Sequence, residues 1–171
     1  MIGNIFLEWV EAYHEYAFFI IPAIAFLEAS VGIGLFVSGA ILLSICTVLY
    51  TQGFATLWQM LPLAFLGATT ADHMGYFLGR RFGPDFHHTR FAKKYKSNLG
   101  KAEALLLKHG ELSIIIGRLV PAVRSIVPLL TGVSGLPVAK YIRYDLIACG
   151  IWASGLGILI AGFGGFFSGQ L

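Results

Sequence analysis

Residues 18–50 read FFIIPAIAFLEASVGIGLFVSGAILLSICTVLY, thirty-three residues with a single charge, Glu28. An apolar run of about 18 residues or more is long enough to cross the ~30 Å hydrocarbon core of a bilayer. Gly32 and Gly34 interrupt this run near its middle. Two limbs of ~17 residues at 1.5 Å each barely reach across. The segment 17–52 therefore reads either as two short spanning helices or as a re-entrant hairpin whose tip lies near Gly32 and Gly34. Both readings return the chain to the side from which it came.

The surroundings support a membrane setting. The chain has 171 residues, of which 57% are hydrophobic and only 12% charged, where a soluble domain carries about 25%. Ala29 to Ala71 holds no charge, nor does Leu146 to the C-terminus. A soluble enzyme, a nucleic-acid binder and a disordered tail are excluded, and the expectation is a small polytopic membrane protein. The formal charge of +3 reports topology rather than a soluble anionic partner. No Lys or Arg precedes Arg80, whereas residues 80–111 carry eight bases against Asp85, Glu103 and Glu111. By the positive-inside rule this central segment is expected to be cytoplasmic. Cys46 and Cys149 both lie in apolar runs and do not suggest a disulfide framework. No basic residue precedes the first apolar run, so no cleavable signal peptide is expected.

Working outward, residues 1–15 predict an interfacial helix, with Ile2, Ile5, Phe6, Trp9, Val10 and Tyr13 at helical spacing opposite Asn4, Glu8, Glu11 and Glu15. Residues 54–80 predict a spanning helix ending at Arg80-Arg81. Residues 84–110 predict basic surface helices on anionic headgroups, with Phe86, Phe91, Tyr95, Leu99 and Leu105–Leu107 interleaved among the bases. Residues 111–137 are apolar but broken by Arg118, Pro121, Arg124, Pro128, Gly132, Gly135 and Pro137. Such a segment predicts a second re-entrant hairpin of half-helices, shaped by Pro121, Pro128, Gly132 and Gly135, whose freed backbone groups are buried or wet. Residues 140–168 predict the last span. Counting crossings gives two hairpin-plus-helix units of opposite orientation, an inverted repeat. Pro22-Ala23-Ile24 before Val37-Ser38-Gly39 is echoed by Pro121-Ala122-Val123 before Val133-Ser134-Gly135. The expected fold is thus an all-α polytopic membrane protein forming one membrane domain.

Chemistry concentrates in a few charges. Arg at bilayer depth costs about 2.5–3.5 kcal/mol on insertion scales, so Arg118 and Arg124 should face a wet cavity, a counter-charge or a ligand. The planar guanidinium fork grips phosphate oxygens two at a time. The competing structural reading pairs each arginine with Glu28 or Asp72, or lets it snorkel to the surface. Glu28 is a candidate counter-charge or proton carrier, since an apolar setting favours its neutral form and a guanidinium its anion. Asp72 is a second proton-coupling candidate, with a hydrogen bond to Tyr76 as the alternative. Gly67, Gly75 and Gly79 suit close helix approach. His73, next to Asp72, reads as a polar interfacial residue with a proton relay as the alternative, and the adjacent His87 and His88 diverge on a helix, so no metal or cofactor is expected. Gly132-Val133-Ser134-Gly135 fits the GxSG pattern of intramembrane serine proteases, but no histidine follows His109 to serve as base. The chain is not expected to be an enzyme.

The block Gly117-Arg118-Leu119-Val120-Pro121-Ala122-Val123-Arg124-Ser125-Ile126-Val127-Pro128-Leu129-Leu130-Thr131-Gly132 resembles the signature of the DedA family, which shares the VTT (SNARE-associated) domain. Asp72…Gly75-Tyr76…Gly79-Arg80 is similar to the family's second block, and Trp152 fits its final helix. Two departures stand out. The first hairpin reads Val31-Gly32-Ile33-Gly34-Leu35, without the family's Pro-Gly-Glu or Pro-Gly-Asp, and Thr131 replaces an alanine. The resemblance implies two facing re-entrant hairpins in an inverted repeat, and a multi-pass location in the cell inner membrane. It also implies translocation of lipids such as undecaprenyl phosphate or phosphatidylethanolamine, and envelope homeostasis tied to proton motive force. The expected partners are membrane lipids and protons, with no nucleic acid and with homo-oligomerisation left open. In this reading Arg118, Arg124 and Glu28 bind substrate, and Glu28 or Asp72 couples protons. The alternatives are a non-transporting scaffold and a small proton-coupled cation or drug exporter.

Overall fold

A computed structural model describes residues 16–94, 96–120 and 123–168. The helix expected over residues 1–15 and the hairpin-shaping Pro121 lie outside the described residues. Among the described residues eight helices follow one another: α1 (Ala17–Ala29), α2 (Gly39–Thr51), α3 (Leu57–Phe82), α4 (Arg90–Lys94), α5 (Lys96–His109), α6 (Ser113–Leu119), α7 (Val127–Val133) and α8 (Val138–Ser168). Short 3₁₀ turns at Ile33–Leu35, Gly83–His88 and Gly110–Leu112 join some of them. No strand occurs among the described residues.

Helix length separates two groups. α1 and α2 have 13 residues each, about 20 Å at 1.5 Å per residue. α6 and α7 have 7 each, about 10 Å. None of these four matches the ~30 Å core. α3, with 26 residues, and α8, with 31, exceed it. Val138–Gly164 of α8 is the one segment among the described residues both long and apolar enough to cross a bilayer.

The breaks have local causes. Gly32 takes a φ of +85°, where a side chain would be strained, and ends α1 together with Ser30, whose hydroxyl returns to the Phe26 carbonyl at 2.7 Å. Ser38 then caps α2, its Oγ accepting the Ala40 N–H at 3.3 Å. α3 begins at Leu57 rather than Phe54, because the Gln59 carboxamide oxygen accepts the Thr56 N–H at 2.9 Å. It runs past Arg80-Arg81 to Phe82. Pro128 occupies the first turn of α7, where its missing N–H costs nothing. Gly135, at φ +74°, turns the chain into α8.

α3 is the central post. Its small face (Ala64, Ala68, Ala71) receives Ile21, Ala25 and Ala29 of α1, and Gly67 lies against the Pro22 carbonyl with no room for a Cβ. Further along, Gly79 lies against the Leu129 carbonyl, and Gly132 of α7 lies reciprocally against the Tyr76 carbonyl. Small residues let backbones touch where lipid supplies no hydrophobic drive for helices to associate. The packing partners follow an exchange pattern. α1 lies on α3 and α6 on α8, whereas α2 lies on α8 and α7 on α3.

The basic segment keeps most of its lysines at the surface but buries part of its apolar face. Phe86, Ala92, Leu99 and Ala102 are buried against Val123, Ile126, Val127, Leu129 and Leu130, so these residues cover the second break, while Leu107 stays exposed. Outside this core, large apolar side chains such as Phe19, Phe36, Trp58, Leu66 and Ile158 are exposed. Their exposure suits a lipid surround.

Candidate functional site

Four elements deliver charge to the middle of the molecule. α1 supplies Glu28 in its last turn, and α3 supplies Asp72 from its small-residue face. Arg118 closes α6, and Arg124 sits in the turn between α6 and α7, its N–H donating to the Val120 carbonyl at 3.0 Å. Arg118 forms an ion pair with Asp72, and Arg124 donates to Glu28 in a second ion pair. All four side chains line one narrow cavity with Ala25, Ala29, Ala68 and Trp152, which leaves space for little more than a water molecule.

Both pairs are withdrawn from solvent, to different degrees. The side chains of Arg118 and Asp72 are 7% and 1% exposed, and those of Arg124 and Glu28 are 16% and 3% exposed. The Arg118 guanidinium carbon lies 5.2 Å from the centroid of the Trp152 ring, a cation–π contact. Glu28 stands at a helix C-terminus, the wrong end of the dipole for an anion, which Arg124 offsets. Gly39 leaves room for this pair, since a Cβ there would lie 2.8 Å from Glu28 Oε1 and 3.5 Å from Arg124. Removing one partner of a buried pair costs about 3–5 kcal/mol, because the other charge is stranded. The pairs do not exhaust the site. Glu28 Oε2, Asp72 Oδ1 and the Nε atoms of both arginines are buried without a hydrogen-bond partner.

α8 adds a face that sequence reasoning missed. Tyr141, Asp145, Cys149 and Trp152 succeed one another at helical spacing. Asp145 is buried, 3.4 Å from His73 Nδ1. The Cys149 sulfur lies 3.8 Å from Asp145 Oδ2 and 3.7 Å from Asp72 Oδ2. His73, read from sequence as interfacial or as a proton relay beside Asp72, is half-buried where α3 meets α8, its Nδ1 2.7 Å from the Thr69 carbonyl. Asp72, Asp145 and Cys149 each place a ligand atom within 4.8 Å of the others. The Arg118 guanidinium already rests on Asp72, and its fixed charge opposes a dication there. Two carboxylate charges about 5 Å apart repel by roughly 3 kcal/mol at an effective dielectric of 20.

The remaining candidates take structural positions. The Tyr76 hydroxyl donates to the Leu136 carbonyl rather than meeting Asp72, and Arg80 donates to that hydroxyl at 3.0 Å. Tyr76 stacks on Tyr141 with centroids 4.0 Å apart. The Ser134 hydroxyl of the GxSG tetrapeptide donates to the Thr131 carbonyl at 2.9 Å.

Known proteins can now be set beside this site. The VTT domain matches residues 21–162, which include every charged residue of the cavity. The chain belongs to the VTT-domain family. Among curated relatives, the inner membrane protein YabI of Escherichia coli (strain K12) is 33% identical over 137 residues, covering 80% of this chain and 54% of YabI. Protein DedA of the same strain is 26% identical over 167 residues, covering 96% of this chain and 74% of DedA. The uncharacterized membrane protein Rv0364 of Mycobacterium tuberculosis (strain ATCC 25618 / H37Rv) is 32% identical over 111 residues, covering 63% of this chain and 47% of that protein. The chain thus spans about half the length of YabI and of Rv0364. No solved structure matches it significantly. This VTT-domain chain is a membrane protein of the DedA type. Within its VTT domain, Glu28, Asp72, Arg118, Arg124 and Asp145 converge from four helices and the turn before α7.

Proposed function

We propose that this protein translocates an anionic lipid, a phospholipid or undecaprenyl phosphate, across the cytoplasmic membrane, with protons coupled to the movement. The observation that carries this reading is the pair of arginines flanking a helix break, buried in a cavity shared with two acids. Arginine at such depth is retained for a ligand, a pathway or a counter-charge. The two Nε donors without partners leave hydrogen-bonding capacity that a phosphate oxygen would use. For cargo to enter, Glu28 and Asp72 must give up guanidinium contacts to the headgroup. Protonating an acid lowers the cost of that exchange, so proton and cargo occupancy are linked.

In this proposal the short helices form two re-entrant hairpins, α1–α2 and α6–α7, each followed by a spanning helix, so the protein is multi-pass. The exchange pattern, in which each first limb lies on its own long helix and each second limb on the other, supports an inverted repeat. Alternating access would then rock one unit against the other.

A second reading is favoured by one observation: both arginines already have carboxylate partners, which suits a non-transporting scaffold whose charges lock its hairpins together. Reconstitution into liposomes with labelled undecaprenyl phosphate or phosphatidylethanolamine, with and without a pH gradient, separates the two. Transport predicts protein-dependent movement of one lipid that responds to the gradient. A scaffold predicts none with either lipid.

A further inference from the structure

Among the described residues, the buried charges of the core do not balance. Two arginines, Arg118 and Arg124, face three buried acids, Glu28, Asp72 and Asp145. Glu28 and Asp72 each take one guanidinium directly, which leaves Asp145 as the surplus carboxylate. Its surroundings can be enumerated. α3 contributes Asp72 and His73, α6 contributes Arg118, and α8 itself contributes Tyr141 and Cys149. α2, which also packs on α8, carries Cys46 and Tyr50 but no Asp, Glu, His, Lys or Arg. The 3₁₀ turn at Gly110–Leu112 brings only Glu111, which is engaged with Lys140 at 2.6 Å. A buried anion with no full counter-charge takes up a proton instead.

The neighbouring imidazole is arranged to deliver that proton. The Thr69 carbonyl can only accept, so the hydrogen of a neutral His73 ring resides on Nδ1, the nitrogen that also faces Asp145 Oδ2 at 3.4 Å. The His73 side chain keeps 23% exposure against 1% for Asp145, so the ring is the accessible member of the couple. We propose that Asp145 and His73 form a proton-binding site, in which the proton resides on the Asp145 carboxylate and exchanges through the His73 imidazole. A proton taken at His73 Nε2 makes the ring an imidazolium. The ring swings toward Asp145, the Nδ1–H bond breaks, and an O–H bond forms at Oδ2. The ring is left neutral with its hydrogen on Nε2, so one proton enters and one is stored. Protonation removes one negative charge from beside the Arg118–Asp72 pair, which stays in place, and makes the cavity more favourable to an anion. This site deepens the transport reading above and depends on it only for the cargo's identity.

Infrared difference spectroscopy of the full chain in lipid nanodiscs, between acidic and alkaline pH, tests the proposal. A carbonyl-stretch band of a protonated carboxylic acid is expected. It should move on ¹³C labelling of aspartate but not of glutamate, vanish in Asp145→Asn and persist in Glu28→Gln. His73→Gln should change the band's frequency and slow its appearance after a pH jump by roughly tenfold or more, a readout that remains if Asp145→Asn does not fold. A band that moves with glutamate label, or survives unchanged in Asp145→Asn, overturns the proposal. A companion arm uses vesicles containing a phosphate-headgroup lipid. Wild-type affinity should rise on acidification by up to about tenfold per pH unit, and Asp145→Asn should be flat. Loss of the band in Asp145→Asn, with no anionic lipid bound by wild type at any pH, upholds the proton site and removes the lipid reading.

Discussion

The two buried ion pairs use the same chemistry on different backbones. Arg118 and Asp72 both belong to helices, are sealed beneath Trp152, and lie beside a second acid, Asp145. Arg124 and Glu28 stand at chain breaks, one in the turn before α7 and the other at the end of α1, next to glycine-lined space at Gly34 and Gly39. The first pair is built to stay closed and to respond to charge. The second can part through turn motions that leave every helix intact. The proposed transport assigns these two behaviours separately, the first pair holding the fold and the second admitting a headgroup.

Several changes would break or sharpen this contrast. The largest effect is expected at Arg118→Ala, which strands Asp72 and Asp145 together and should cost about 3–5 kcal/mol. Arg124→Ala strands only the less enclosed Glu28 and should cost less, at the lower end of that range, about 3 kcal/mol. Thermal melts followed by fluorescence-detected gel filtration would compare them, and equal losses would remove the distinction. Next comes Gly79→Ala, where a Cβ meets the Leu129 carbonyl and must push α7 off α3. Overpacking of that kind costs about 1–3 kcal/mol. Gly155→Ala on α8 points into open space and should raise the Tm slightly, because alanine favours the helix by up to ~1 kcal/mol.

The smallest effect is expected at Glu111→Gln. The Lys140 ammonium donates to Glu111 at 2.6 Å and holds its carboxyl below the usual carboxylate range. A lowered folded-state pKa stabilises above the unfolded value, and the benefit disappears as pH falls through the folded one. The wild type should therefore melt marginally above Glu111→Gln at neutral pH and together with it in acid. Melting curves across that range check the sign.

Much of the site was legible because charge in an apolar run is costly. Glu28, Asp72, Arg118 and Arg124 stand out from sequence for that reason alone. That either arginine could pair with Glu28 or Asp72 was also legible, but not which with which, because Arg124 meets Glu28 across 96 positions of sequence, a choice fixed only by how α1, α3 and α6 cross. Asp145 escaped notice for a local reason. It follows Lys140 and Arg143 closely and resembles an ordinary charge at a helix entrance, whereas the continuous α8 turns it inward. The Tyr141, Asp145, Cys149 spacing was the available signal. In the fold, Gly32 and the proline–arginine block marked the breaks. The burial of Phe86 and Leu99 under the second break was hidden, since an apolar stripe among lysines suits a headgroup surface equally well.

The account rests on guanidinium geometry at Arg124 serving a lipid headgroup. Arg124→Lys keeps the charge and loses the fork, so lipid translocation by the reconstituted variant is the direct measurement. The account predicts at least a tenfold loss of translocation, with expression and Tm close to wild type. Unchanged translocation in Arg124→Lys would contradict it.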